Sequence, residues 1–461
     1  RPRDWSSDVC SSDLCEEFGE IEAAVLCVAG WTDGYNDSAF RVLAGLSGPR
    51  RAIVGPWGHN DPIHGPPAPL VGILSEQTRW WDRWLKGIDN GIDDEPMLVA
   101  YEQDPVTPAP RIADRPGRWI AEATWPSPRL EERVLVLGDG TLDAAGEERV
   151  LEIGSVQTVG LDGGSWCADG KSDDLALDQR GEEAQSLCFT SEPLDEPFAI
   201  LGHARVRLAL TADQPVAMVS VRLSEVAEDG SSLLVTRGQL NLCHRDGHDR
   251  PAHCVPGEEL AIDLPLDAIA HRFRAGSRLR IAISPCYWPW AWPSPVPVTL
   301  AVRTGASSLV LPVRPPSELD AAMRPLDPPS EPEIPPIELL RPGSGGSRTT
   351  TYDVSTGVTT SVFDWDIGGA WRFENGITWE DSSITTMTIR DGDPLSACVV
   401  VENTCLYDDG ELVVDVVAHS EMRCTAEDFL VSCRLDVHEN GAALFDRTWD
   451  YRDRKSTRLN S

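Results

Sequence analysis

Two periodicities divide the chain. Between residues 22 and 90, continuous apolar runs alternate with segments whose apolar side chains recur every three to four positions. Residues 24–28 (AVLCV) form such a run, as expected of a strand buried on both faces. After a polar, glycine-containing turn, residues 38–46 place Phe40, Leu43 and Leu46 on one helical face, with Asp37 as N-cap and Gly48-Pro49 as the stop. Residues 52–54 (AIV) predict the next buried strand. Strand, helix and strand at this spacing predict a right-handed parallel crossover. A further helix is expected over residues 76–86, capped by Ser75 and ended by Gly87. Its stripe of Trp80, Trp81, Trp84, Leu85 and Ile88 predicts packing in the core or at a domain interface.

After Pro96 the period falls to two. Short alternating segments at 204–210, 217–223, 233–239, 260–264, 278–283 and 298–302 are separated by Gly, Pro and Asp. They predict an all-β sandwich or jelly roll. A proline-rich stretch over 315–342 and a Gly-Ser joint at 343–346 read as a linker. A second set of alternating strands follows over 349–451, expected as a further β unit. The fold class is therefore α/β plus all-β. The two ends fit neither period. Residues 1–14 contain the near-repeat SSDVC-SSDL, and both they and residues 454–461 resemble translated sequencing-adapter DNA, so they are set apart as non-native.

Charge narrows the function classes. The 461 residues include 74 acidic and 40 basic side chains, a formal net charge of -34. A nucleic-acid partner or an anionic membrane surface wants a basic face, so neither is expected. No apolar run approaches the length of a membrane span. Twelve cysteines occur without a C-x-x-C or zinc-type spacing to histidine, and no metal or cofactor is expected. Cys424/Cys433 and Cys398/Cys405 are candidate cross-hairpin disulfides, with buried free thiols the equal alternative. The compartment stays open, the cytoplasm being slightly favoured. Homo-oligomerisation stays open as well.

Two residues carry candidate chemistry. Asp33 lies just past one expected parallel strand and His59 just past the next. Open α/β sheets gather their sites in the crevice at those strand ends. A carboxylate beside an imidazole there can act as orienting acid and general base of a nucleophilic triad. Either residue alone also has an ordinary structural role, Asp33 in a turn and His59 in packing. His64, with Asp61 nearby, is a competing base.

Three phrases make the reading specific: VAGWTDGY at 28–35, GPWGHN at 55–60 and RWWDRWLKG at 79–87. Together they resemble the acyl-esterase family that includes cocaine esterase, α-amino-acid ester hydrolases and X-Pro dipeptidyl-peptidases. The stretches around Leu187, Gly276 and Leu311-Pro312 are similar to the β domain that follows the hydrolase domain in that family. The resemblance spans residues 22–315. It implies that Asp33 and His59 complete a Ser-His-Asp triad acting on a small ester or peptide substrate. It further implies the C-terminal part of an α/β-hydrolase domain over 15–96 and a jelly-roll, galactose-binding-like domain over 97–315. A linker over 316–346 and an additional β domain over 347–453 complete the expectation. The family's nucleophile sits in a G-x-S-x-G elbow upstream of the aspartate. No G-x-S-x-G occurs in the 461 residues, so the chain is expected to be an inactive, N-terminally truncated serine hydrolase. The alternative is a carbohydrate- or ligand-binding β-sandwich protein, with Trp288, Trp290 and Trp292 as a stacking platform.

Overall fold

The computed structural model describes residues 18–154, 156–171, 173–247, 250–330, 335–366 and 368–455. The segments set apart at the two ends lie outside the described residues, apart from Arg454 and Lys455. Three parallel strands open the fold: β1 (Val25–Gly30), β2 (Arg50–Gly55) and β3 (Leu98–Gln103). Helix α1 (Asn36–Gly45) joins the first two, and α2 (Ile73–Lys86) lies between the second and third. β3 lies beyond Pro96, where the hydropathy period changes, and nevertheless extends the parallel set. It then pairs antiparallel with β4 (Gly117–Glu122).

The helices form for the expected reasons, with different ends. Phe40, Leu43 and Leu46 are buried, as their shared face requires. α1 begins with Tyr35 as its N-cap. Asp37 lies inside the first turn, where its carboxylate accepts a hydrogen bond from the Ala268 amide at 2.8 Å. α2 begins about a turn earlier than expected, with Gly72 as its N-cap, and the Ser75 hydroxyl donates to Asp327 at 2.6 Å instead of capping. Gly87 closes it in the left-handed conformation, φ 70°, that favours glycine. Of its aromatic stripe only Trp80 is buried, whereas Trp81, Leu85 and Ile88 are exposed. The polar side of α2 is anchored instead. Glu76, 1% exposed, meets Arg51, Arg79 and Arg324, and Glu95 shares all three arginines.

A single parallel rung, His271 opposite Gln103, carries the sheet from β3 into the strand Ile269–Phe273. From there it continues as antiparallel strands, among them Phe198–Gly202, Ser308–Arg314 and Arg205–Ala212. A second, four-stranded sheet runs through Ser232–Asn241, Met218–Val226, Arg278–Ser284 and Leu187–Thr190. The two bury one core between them, with Val206, Leu208 and Leu210 on one side and Val221, Leu223, Ile281 and Ile283 on the other. Along Arg205–Leu210 the larger apolar side chains Val206, Leu208 and Leu210 alternate on the core face, and the small Ala209 is buried as well.

A third sheet, nine-stranded among the described residues, spans Ile337–Arg454. It packs on the second unit through Trp288 and Trp292, which meet Ile389, Ala397 and Phe429. Of the two alternatives for these cysteines the free thiols hold, and neither candidate disulfide forms. Cys398 and Cys405 lie on one strand, Asp393–Asp408, and cannot face each other. Cys424 pairs with Phe429 and Cys433 with Ser420, several rungs apart in the same hairpin. No helix among the described residues is long and apolar enough to cross a membrane.

Candidate active site

The loops that leave β1 and β2 are zipped together. The Trp31 amide donates to the Gly55 carbonyl at 3.0 Å, and the Thr32 amide to the Trp57 carbonyl at 3.1 Å. The Thr32 hydroxyl adds a second bond to that carbonyl at 2.9 Å. Gly30 makes this approach possible: a Cβ there would stand 2.1 Å from the Trp57 carbonyl oxygen. Two indoles fix the loops from below. Trp31 Nε1 donates to the Tyr101 carbonyl at 2.7 Å and Trp57 Nε1 to the Pro69 carbonyl at 2.9 Å. Glycine and tryptophan in both motifs therefore serve the backbone, and the polar residue that follows is presented at the rim.

Asp33 and His59 meet there. His59 Nδ1 lies 3.1 Å from Asp33 Oδ2. The other carboxylate oxygen accepts from the Tyr35 amide at 3.0 Å, so both oxygens are committed. The Asp33 side chain is 12% exposed and the His59 side chain 54% exposed. An inward carboxylate thus holds an outward imidazole by one ring nitrogen. Holding the half-exposed ring through Nδ1 leaves Nε2 for another partner, the disposition a general base needs. The competing base is not assembled. Asp61 uses its carboxylate on the Ile63 amide at 3.1 Å, and no hydrogen bond among the described residues joins it to the His64 ring.

A loop of the second unit completes the rim. Asp33 forms an isolated antiparallel bridge with Cys167, and the His59 amide donates to the Ala168 carbonyl at 2.6 Å. Gly58 permits this contact, since a Cβ there would lie 1.9 Å from the Ala168 oxygen. Trp166 stands edge-on to Tyr35 with ring centroids 4.8 Å apart, and Tyr35 lies 5.5 Å from the His59 ring. Both aromatics are about half exposed, forming a wall beside the imidazole. The Cys167 thiol is pushed up to about 11, chiefly by burial and then by Asp33, Asp169 and Asp174, against the pull of Lys171. Sequence reasoning passed over Trp166 and Cys167 because their loop has neither period, and only the fold brings it to the rim.

The tryptophan platform is not a surface. Trp288 is 1% exposed. Trp290 lies under the Arg237 guanidinium and donates to the Gly164 carbonyl at 3.1 Å. Trp292 packs between Trp288 and Phe429. Alternate tryptophans share a face in a strand, but this segment is a turn wedged between units, so no stacking face results.

Comparison with known proteins places the molecule. Residues 90–318 match the family model of the X-Pro dipeptidyl-peptidase C-terminal non-catalytic domain. A Mycobacterium tuberculosis protein described as a serine esterase is 29% identical over 304 residues, covering 57% of this chain and 45% of its own length. Cocaine esterase of a Rhodococcus species is 22% identical over 306 residues, covering 60% and 51%. Among solved structures, a CocE/NonD family hydrolase from Staphylococcus aureus aligns with TM-score 0.50 at 15% identity, covering 64% of this chain and 55% of the other. An aminopeptidase from a marine-sediment thaumarchaeon aligns with TM-score 0.54 at 18% identity, covering 68% and 57%. The fold is thus that of the CocE/NonD hydrolases. These matches support the family of CocE/NonD-type acyl esterases and X-Pro dipeptidyl-peptidases, whose members are named esterases or peptidases. The chain spans about half the length of the curated relatives it matches.

Proposed function

We propose that this chain carries the acid and base of a Ser-His-Asp hydrolase acting on ester or amide bonds. The observation that carries the reading is the 3.1 Å contact between His59 Nδ1 and Asp33 Oδ2 at the rim of the parallel strands. In this reading a serine hydroxyl attacks the substrate carbonyl while His59 takes its proton. His59 then returns the proton to the departing alcohol or amine. Asp33 holds the ring in the tautomer with hydrogen on Nδ1 and stabilises the imidazolium between the two steps. The two-sheet unit is the jelly-roll, galactose-binding-like domain of such enzymes. Its loop at Trp166, with Tyr35, forms one wall of the acyl or dipeptidyl pocket.

The nucleophile is assigned outside the 461 residues, since no G-x-S-x-G occurs in them. The chain alone therefore does not turn over substrate: loss of a triad serine costs many orders of magnitude. Hydrolysis of p-nitrophenyl acetate tests this directly. The 461-residue chain is expected at the buffer rate. A chimera supplying the upstream half of the Mycobacterium tuberculosis relative is expected to gain hydrolysis that His59→Ala abolishes. His59-dependent hydrolysis by the 461-residue chain itself would overturn the assignment of the nucleophile.

A further inference from the structure

We infer that Asp33, His59 and Cys167 together form a binding site for a soft divalent cation, zinc being the physiological candidate. One carboxylate oxygen, one imidazole nitrogen and the thiol sulfur lie within 4.8 Å of one another. Among the described residues this is the one group of three or more such side chains gathered closely enough to hold an ion. The three come from three separate segments, and backbone contacts fix their approach. The Asp33–Cys167 bridge and the bond from the His59 amide to the Ala168 carbonyl tie the thiol loop to both rim loops.

The donor set suits zinc. That ion takes nitrogen, oxygen and sulfur at about 2.0–2.3 Å in tetrahedral array, so its ligand atoms stand roughly 3.3–3.8 Å apart. Drawing the present atoms together needs a shift of about 1 Å. His59 can supply it, because its side chain is more than half exposed. Asp33 is already oriented by the Tyr35 amide, the kind of outer contact that fixes a ligand.

Charge favours a cation over the alternative uses of the thiol. Asp33, Asp169 and Asp174 surround Cys167, with only Lys171 opposing them. On binding, the S–H bond breaks, the proton leaves to solvent, and the S–Zn bond forms with no change of oxidation state. Thiolate and carboxylate then balance the two positive charges, and neutral His59 supplies the third ligand.

The consequence for catalysis rests on the function proposed above. A bound ion occupies the imidazole and carboxylate that would serve the serine, so zinc acts as a reversible inhibitor. Binding itself does not depend on that function and is read without substrate. The 461-residue chain is titrated with Zn²⁺ by calorimetry and with Cd²⁺ by its ultraviolet thiolate charge-transfer band. One equivalent is expected to bind. Both Cys167→Ser and His59→Ala should weaken it by at least about tenfold, and the serine variant should also remove the band. The half-exposed His59 position keeps the test valid if the thiol variant misfolds. No binding at micromolar free zinc, or wild-type affinity in either variant, overturns the site.

Discussion

Gly30→Ala probes how the rim is built. The added methyl would stand 2.1 Å from the Trp57 carbonyl oxygen, so the two loops must part by about 1.5 Å to reach ordinary contact. That carbonyl accepts the Thr32 amide at 3.1 Å and the Thr32 hydroxyl at 2.9 Å, and both bonds are lost in the separation. Two neutral hydrogen bonds are worth about 1 kcal/mol each, and overpacking adds about 1–3 kcal/mol where the loops do not fully yield. A local cost of about 2–5 kcal/mol corresponds to roughly a 30- to 5,000-fold loss of hydrogen-exchange protection. The assay is amide exchange at Trp31 and Thr32, read against the core strands of the second unit as an internal reference. The 3.1 Å contact between Asp33 and His59 spans the same two loops and should lengthen with them. Protection at Trp31 and Thr32 within about threefold of wild type would refute this account of how glycine positions the dyad.

Three further outcomes follow from the packing. Glu76→Ala leaves Arg51, Arg79 and Arg324 with Glu95 as their one shared carboxylate, and weakening the buried ionic cluster in this way should lower the stability of the parallel unit by about 1–3 kcal/mol in urea denaturation. The buried His271–Glu225 pair, 2.7 Å apart, makes the fold acid-labile. Burial holds the His271 imidazole below its usual range against the pull of Glu225. Burial raises the Glu225 carboxyl, but the bond and charge of His271 together with hydrogen bonds from the Arg274 amide and Ser277 outweigh this and leave it lowered. Both groups therefore bind fewer protons folded than unfolded. Stability should fall as pH drops below about 6.5, and again below about 4.5, with the first slope absent in His271→Asn thermal melts. Trp292→Ala removes the indole between Trp288 and Phe429, and on the order of 3 kcal/mol of docking should be lost. Limited proteolysis should then release the 337–455 sheet sooner than in wild type, and an unchanged digestion rate would count against the wedge.

Much of this molecule is legible in its side-chain pattern. Unbroken apolar runs mark β1 and β2, and β2 is buried over Arg51–Gly55 as expected, whereas β1 lies at the end of the sheet and is only half-buried over Val25–Ala29. Period two marks the second unit, where Val206, Leu208 and Leu210 are buried and Arg207 is exposed, although Met218–Val226 is buried throughout. Elements stop being legible where the determinant lies far along the chain. β3 follows the apparent change of period because its partner, β2, belongs to the earlier grammar. Asp37 and Ser75 look like caps, yet each is drawn away by a distant partner, Ala268 and Asp327. The stripe on α2 looks like core, but Glu76 and its arginines pin the helix and leave Trp81 and Leu85 outward. At the rim, Asp33 and His59 are legible because each follows a strand at a fixed offset. Trp166 and Cys167 sit in a loop without period, so nothing local connects them with a site.

The tautomer of His59 is the most direct test of the central claim, that Asp33 orients this imidazole as a base. Nitrogen-15 NMR of the imidazole ring, above its titration, separates the two neutral forms. The account predicts a proton on Nδ1 donated to Asp33 and a bare Nε2, with the preference lost in Asp33→Asn. A ring that carries its proton on Nε2, or one that does not respond to that substitution, would contradict it.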